Sequence, residues 1–186
     1  MSPAIIRITK EAILEAGLAL LRDQGPDALN ARALAARLKC STQPIFSNFP
    51  SMDALRLSLV QEAEKVYQAY IAQEMEKNLY PPYKASGMAY IRFAREESQL
   101  FRLLYMRNRK DEPAPPEDQL TQKMVRLIQN GTGADQNQAE LMHLEMWAFV
   151  HGMAVLCATQ FYPLDEKLTS RMLTDAFQGL KARHNL

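Results

Sequence analysis

The tightest constraint on the fold sits in residues 30–49, NARALAARLKCSTQPIFSNF. Asn30 has the short polar side chain that accepts a hydrogen bond from a free amide at a helix start, and Leu34, Ala35 and Leu38 then recur on one face. The spacing predicts a helix through Leu38, a break at Lys39-Cys40, and a further helix capped by Ser41, with Ile45 and Phe49 turned inward at i, i+4. Pro50 has no amide to donate and drives its predecessor out of helical geometry, so that helix cannot run far past Phe49. Two short helices about a tight break are all this stretch can hold.

A longer helix precedes them. Thr9 is placed to cap it, Ile13, Leu14, Gly17, Leu18 and Leu21 share a face opposite Glu11, Glu15 and Arg22, and Gly25-Pro26 ends it. From Ser51 the recurrence of Leu55, Leu59, Ala63, Val66, Tyr67, Tyr70 and Ile71 predicts one amphipathic helix of about 25 residues, roughly 40 Å long, joining two regions rigidly. Beyond Pro81-Pro82, helices are expected near 83–96, 98–107, 117–130, 136–160 and 165–183, with turns at the Pro-rich 111–116 and at residues 130–133.

Composition changes near position 60: all seven tyrosines, and eight of the ten methionines, lie beyond it. That vocabulary suits a bundle with an adaptable aromatic and thioether interior. Only seven glycines and few β-branched residues argue against collagen, disorder or a strand-rich sandwich. The expected fold is all-α. A three-helix N-terminal domain, residues 1–55 with a tail at 1–8, is joined by the long helix to a helical bundle over residues 56–186.

Lys+Arg 22 against Asp+Glu 21 leaves a formal charge of +1, and residues 1–60 hold seven basic against five acidic groups, so no strong field announces a polyanion. Cys40 and Cys157 stand far apart without companion Cys or His spacing, which fits reduced thiols in the cytoplasm. The opening MSPAIIRITKE has no hydrophobic run with a cleavage site. The apolar run 146–158, interrupted by His151, falls short of the roughly 20 residues that span a bilayer and reads as a buried helix, so no membrane partner is expected.

Residues 30–49 have helix-turn-helix anatomy, in which the second helix enters the major groove of double-stranded DNA by its N-terminal end. Exposed residues there should be small or hydrogen-bonding, a demand that Thr42, Gln43, Ser47 and Asn48 meet. Ser41 and nearby amides suit a phosphate, and Arg32, Arg37 and Lys39 add charge. Gln43 offers a donor and an acceptor to an adenine edge, and the Pro44 ring suits a thymine methyl.

Across residues 9–60 the order of signals resembles the DNA-binding domain of TetR-type transcriptional regulators. The resemblance is carried by Ile13, Leu14, Ala16, Leu20, Gly25, Leu34, Ala35 and Leu38, and most specifically by the run Ser41, Ile45, Phe46, Phe49, Ser51, Asp53, Ala54 and Leu55. Three positions depart from the family pattern. Phe46 stands for the usual tyrosine, Asn48 for a histidine and Met52 for a lysine. In the family the tyrosine hydroxyl and the lysine touch the DNA backbone, so Phe46 is expected to keep its packing and lose a donor, and Met52 to lose a charge.

Trp147-Ala148-Phe149-Val150-His151-Gly152 further resembles the Trp-x-x-x-His-Gly signature of one group of these regulators. This implies a C-terminal bundle that binds an unknown small-molecule effector and forms a homodimer through its last two long helices. The last helix carries an apolar stripe, Leu168, Met172, Leu173, Ala176, Phe177 and Leu180, that permits this. Candidate dimer residues are Met153, Leu156, Leu173, Phe177 and Leu180. Candidate pocket residues are Tyr67, Tyr90, Phe101, Tyr105, His143, Trp147 and His151, although rings at helical intervals also build ordinary cores.

His143, Trp147 and His151 share a face at i, i+4 and i+8, but two histidines eight apart are poorly spaced for one ion, so no metal is expected. No phosphate-cradling glycine loop, H-E-x-x-H or nucleophile elbow is present, so neither catalysis nor a cofactor is expected. The expected function is a ligand-responsive repressor, a homodimer on a pseudo-palindromic operator. The alternative is a helical small-molecule carrier or enzyme using the C-terminal bundle. Met52→Lys should tighten DNA binding and steepen its log-log salt slope by about one unit. An unchanged slope in salt titrations would place the start of the long helix away from the phosphates.

Overall fold

The computed structural model describes residues 8–107, 110 and 119–186. The expected tail 1–8, apart from Ile8, lies outside these residues, as do the 111–116 turn and residues 117–118. Among the described residues there are nine α-helices and no strand: α1 Lys10–Gln24, α2 Ala31–Leu38, α3 Gln43–Asn48, α4 Met52–Glu76, α5 Pro82–Glu96, α6 Ser98–Tyr105, α7 Gln119–Thr132, α8 Gln136–Ala158 and α9 Glu166–Arg183. The all-α expectation holds. Contacts divide the chain into two compact units. The first runs to Val66 and includes Glu97–Arg107; the second comprises Tyr67–Glu96 and the chain from residue 108 onward.

In the first unit, capping follows the polar residues. Thr9 Oγ1 accepts from Ala12 N at 3.2 Å, Asn30 Oδ1 from Ala33 N at 3.0 Å, and Ser51 Oγ from Ala54 N at 3.1 Å, each satisfying an amide that has no partner inside its helix. Gly25 ends α1 with φ 81°, a backbone region where a Cβ is strained, and donates to Leu21 O at 2.8 Å. Ile13, Leu21, Leu34, Ile45, Leu55 and Leu59 are fully buried and hold α1 to α4 in one core. Gly17 lies where a Cβ would come within 2.8 Å of Leu59 Cδ2, so α1 meets α4 through a missing side chain. Residues Ser98–Tyr105, read from sequence as one more helix after Pro81-Pro82, pack here against α1 through buried Leu100, Phe101 and Leu104. Arg22 clamps their start, donating to both Glu97 oxygens at 2.8 Å.

Three local expectations need correction. Ser41 does not cap α3: Thr42 occupies the N-cap without a side-chain bond. Such a bond is unnecessary, because Pro44 has no amide to satisfy and Ile45 N already donates to Thr42 O at 3.1 Å. Phe46 does not keep its packing either, being 49% exposed. Ile45 and Phe49 take the inward positions, and the residue after Ile45 is rotated by about 100° away from the core. Leu38, expected inside, is only half-buried.

In the second unit α5 and α8 make the largest contact. Buried Val125, Ile128, Ala139 and Met142 form a cluster against which Tyr83, Phe177 and Leu180 pack. Asp135 and Gln138 form a reciprocal capping box at the start of α8. That helix has 23 residues and an 18-residue window of mean hydropathy 1.4, so by length and composition alone it could cross a bilayer. The expectation that the run 146–158 is buried holds only in part, since Trp147 and Phe149 within it are exposed, as are Leu141 and Leu144 earlier on the same helix.

Ile45→Ala is expected to cost about 2–5 kcal/mol, because the first unit loses a fully buried side chain and keeps the cavity. Asn30→Ala should cost about 1 kcal/mol through one lost cap. Denaturant titrations of both variants check the order, and an Ile45→Ala cost below that of Asn30→Ala would contradict this core.

Candidate nucleic-acid interface

The two short helices are joined by a turn that the sequence makes with an unusual residue. Lys39 takes φ 53° and ψ 43°, the left-handed region more often held by glycine or asparagine, while its amide donates to Ala36 O at 3.2 Å and Cys40 N donates to Ala35 O at 3.0 Å. These bonds satisfy the end of α2 and redirect the chain into α3 within a few residues. Ile45 and Phe49 then anchor α3, with Lys10 Nζ 5.4 Å above the centre of the Phe49 ring.

The opposite side of α3 faces solvent. Gln43, Phe46 and Ser47 are exposed at spacings that put them on one face, Ser41 is exposed ahead of them, and Thr42, Pro44 and Asn48 are half-buried at its edges. Arg32 and Lys39 are exposed on and after α2. All nine residues read from sequence as DNA-binding thus fall in or beside one short segment of the first unit. Their hydrogen-bonding capacity is uneven. Ser47 Oγ donates to Gln43 O at 3.0 Å, and Asn48 Nδ2 donates to Pro44 O at 2.8 Å and to Ile8 O at 3.3 Å. Arg37, which the sequence offers as additional charge, is held by Asp23 at 2.7 Å.

In the second unit, rings from α4, α5 and α8 meet. Tyr67 lies edge-on to Tyr90 with centroids 5.5 Å apart. The Tyr90 hydroxyl is 2.9 Å from His151 Nδ1, and the His151 ring stacks on Trp147 at 5.2 Å. Four of the seven candidate pocket residues therefore form a chain of contacts. His143 instead pairs with Tyr83, whose hydroxyl is 3.0 Å from its Nδ1, and burial pushes the Tyr83 phenol upward. Phe101 and Tyr105 belong to the first unit, ring against ring at 5.2 Å. Of the candidate dimer residues, Met153 and Leu173 are buried within the chain, whereas Leu156, Phe177 and Leu180 are half-buried.

Sequence reading missed a polar crevice in the second unit, about 30 Å³ of free space lined by Glu74, Lys77, Met88, Ile91, Arg92, Arg95, Glu166 and Thr169. Glu74 is buried there, 2.8 Å from Lys77 and 3.6 Å from Arg92. Glu74 continues the buried stripe of α4 three residues beyond Ile71, where its spacing hinted at burial, but the Arg92 that joins Lys77 beside it comes from α5 and was not legible in the sequence.

Two family descriptions match the chain: "Bacterial regulatory proteins, tetR family" over residues 13–59, and "Tetracyclin repressor-like, C-terminal domain" over residues 83–177. Among solved structures, the chain is similar to a TetR-like transcriptional regulator from Rhodococcus sp. RHA1, with TM-score 0.70, 15% identity and 100% of both chains covered. It is also similar to a TetR variant from Acinetobacter baumannii AYE in complex with minocycline, with TM-score 0.56, 18% identity, 94% of this chain and 97% of that one. At such identities the structural likeness speaks to fold alone. No curated protein matches the chain.

Burial holds the His151 pKa below its ordinary value. Below about pH 6.5 the unfolded chain therefore takes up a proton that the folded imidazole resists. The contribution of this residue to stability is present above about pH 6.5 and falls as pH drops toward the folded value. Denaturation midpoints of the wild type are expected to fall more between about pH 7 and pH 5.5 than those of His151→Gln. Parallel pH profiles would show that the imidazole is no harder to charge in the fold.

Proposed function

Since the chain belongs to the TetR family of bacterial regulatory proteins, we propose that it is a ligand-responsive repressor acting as a homodimer on a pseudo-palindromic operator. The observation that carries the reading is the solvent-facing side of α3, where Gln43 and its neighbours stand clear of a core anchored by Ile45 and Phe49. In this division of labour residues 1–55 bind DNA and residues 56–186 bind effector and dimerise. Two copies of a reading helix related by a two-fold axis demand a two-fold related target, with half-sites about 34–36 Å apart or further.

Within the DNA-binding segment, Ser41, Arg32 and Lys39 serve phosphates and set register. Gln43 is the residue suited to a base edge, since an amide offers paired donor and acceptor to adenine. The bundle supports effector binding through its polar-tipped rings, Tyr67, Tyr90, Trp147 and His151, which suit an apolar ligand carrying one or two polar groups. One structural neighbour is in complex with a small molecule, minocycline. The exposed apolar residues of α8, Trp147 and Phe149 among them, support dimerisation beside Leu156, Phe177 and Leu180, with Met153 and Leu173 packed beneath. Effector binding then releases the operator, provided the effector binds better to a state whose two reading helices no longer match the grooves.

Selection of genomic fragments by the purified protein, followed by titration of the enriched site against scrambled DNA, tests the reading. An inverted repeat should emerge. Gln43→Ala should then cost about 1–3 kcal/mol on that site and leave scrambled DNA almost unchanged, whereas Lys39→Ala should weaken both alike. Equal losses on both DNAs for both variants would refute the assignment of roles. Light scattering of Trp147→Glu checks the dimer: a monomer is expected, and an intact dimer would move the interface elsewhere.

A further inference from the structure

The outward face of α3 combines Gln43, Phe46 and Ser47, and the donors beside Gln43 are already engaged. The Ser47 proton is committed to Gln43 O and the Asn48 amide to two backbone carbonyls. The two large side chains left uncommitted on that face are an amide, Gln43, and a phenyl ring, Phe46, one helical turn further on. The ring stands 49% exposed on a helix whose inward positions are filled by Ile45 and Phe49. Exposure of this much apolar surface beside a polar reading residue is what an apolar contact on the partner would cover.

A phenyl ring has nothing to give a phosphate. Packed against the backbone it would strip water from an anion and return no hydrogen bond. The floor of the major groove holds one apolar substituent large enough to pack against, the C5 methyl of thymine, set among donors and acceptors. Resting on the DNA-binding reading of α3, we propose that Phe46 reads sequence by packing its ring against a thymine C5 methyl, once in each half-site. Gln43 and Phe46 then read neighbouring positions by opposite chemistries, one by paired hydrogen bonds and the other by excluding water from a methyl. The residue that loses a phosphate contact in this chain gains a base contact.

Deoxyuridine differs from thymidine only by that methyl, so it isolates the contact. The operator enriched by the wild type is resynthesised with deoxyuridine at each symmetric thymine pair in turn, and each duplex is titrated with wild type, Phe46→Ala and Phe46→Leu. One thymine pair should show a loss of about three- to fivefold per half-site for the wild type, the worth of one buried methyl. Phe46→Ala should show no penalty at that pair while keeping the penalties at other thymines, and Phe46→Leu should retain part of it. The ring is exposed, so these variants should unfold at the wild-type midpoint, and circular dichroism melting confirms that the comparison is between folded proteins. If Phe46→Ala weakens every duplex alike and all deoxyuridine penalties persist, the ring packs on sugar and phosphate and the proposal is overturned. If the wild type enriches no sequence at all, the DNA-binding reading itself fails, and the role of Phe46 fails with it.

Discussion

Lys39 in the left-handed conformation is the point on which the arrangement of the first unit turns. A β-carbon in that region costs about 1–2 kcal/mol, and a lysine accepts it here because two amides, its own and that of Cys40, close back onto the carbonyls of α2. Without that reversal α2 would continue or unravel, Ile45 and Phe49 would not reach the core, and the outward face of α3 would have no fixed direction. The short helices lack the length to be stable alone, so their geometry is lent to them by this turn and by the fully buried Ile45.

The parts of the fold that were legible in the sequence are those decided within one helical turn. Thr9 and Asn30 cap where short polar side chains precede apolar periodicity, and Gly25 and Pro50 stop helices for backbone reasons that hold in any context. The same logic applied to Ser41 fails because Pro44, three residues on, lacks the amide that such a cap would serve. The remainder depends on chain that arrives from a distance. The Asn48 amide is taken by a carbonyl 40 residues away, and Arg22 meets Glu97 across 75 residues. Neither spacing nor propensity encodes such partners, so a side chain that looked free to meet DNA is partly occupied, and a helix that looked like one more member of the later series packs on α1.

The same contrast governs the charges. A formal charge of +1 and a weakly basic first 60 residues understate nothing and announce nothing, because what matters is which cations are already spoken for. Arg22 and Arg37 are held by Glu97 and Asp23, while Arg32 and Lys39 are exposed on and just after α2. Affinity for a polyanion would then come from few contacts, which leaves proportionally more of the discrimination to side chains that touch bases.

The two tyrosine–histidine pairs of the second unit carry a mechanical consequence. Tyr83 meets His143 and Tyr90 meets His151, so the contacts advance along α5 and α8 in the same direction, by about 10.5 Å on one helix and about 12 Å on the other. They act as a pair of dowels: sliding either helix along its neighbour stretches both hydrogen bonds together, while a small pivot about the line joining them strains neither. Any rearrangement within this unit is thereby steered away from translation and toward rotation, with the exposed edge of α8 sweeping as the hinge turns.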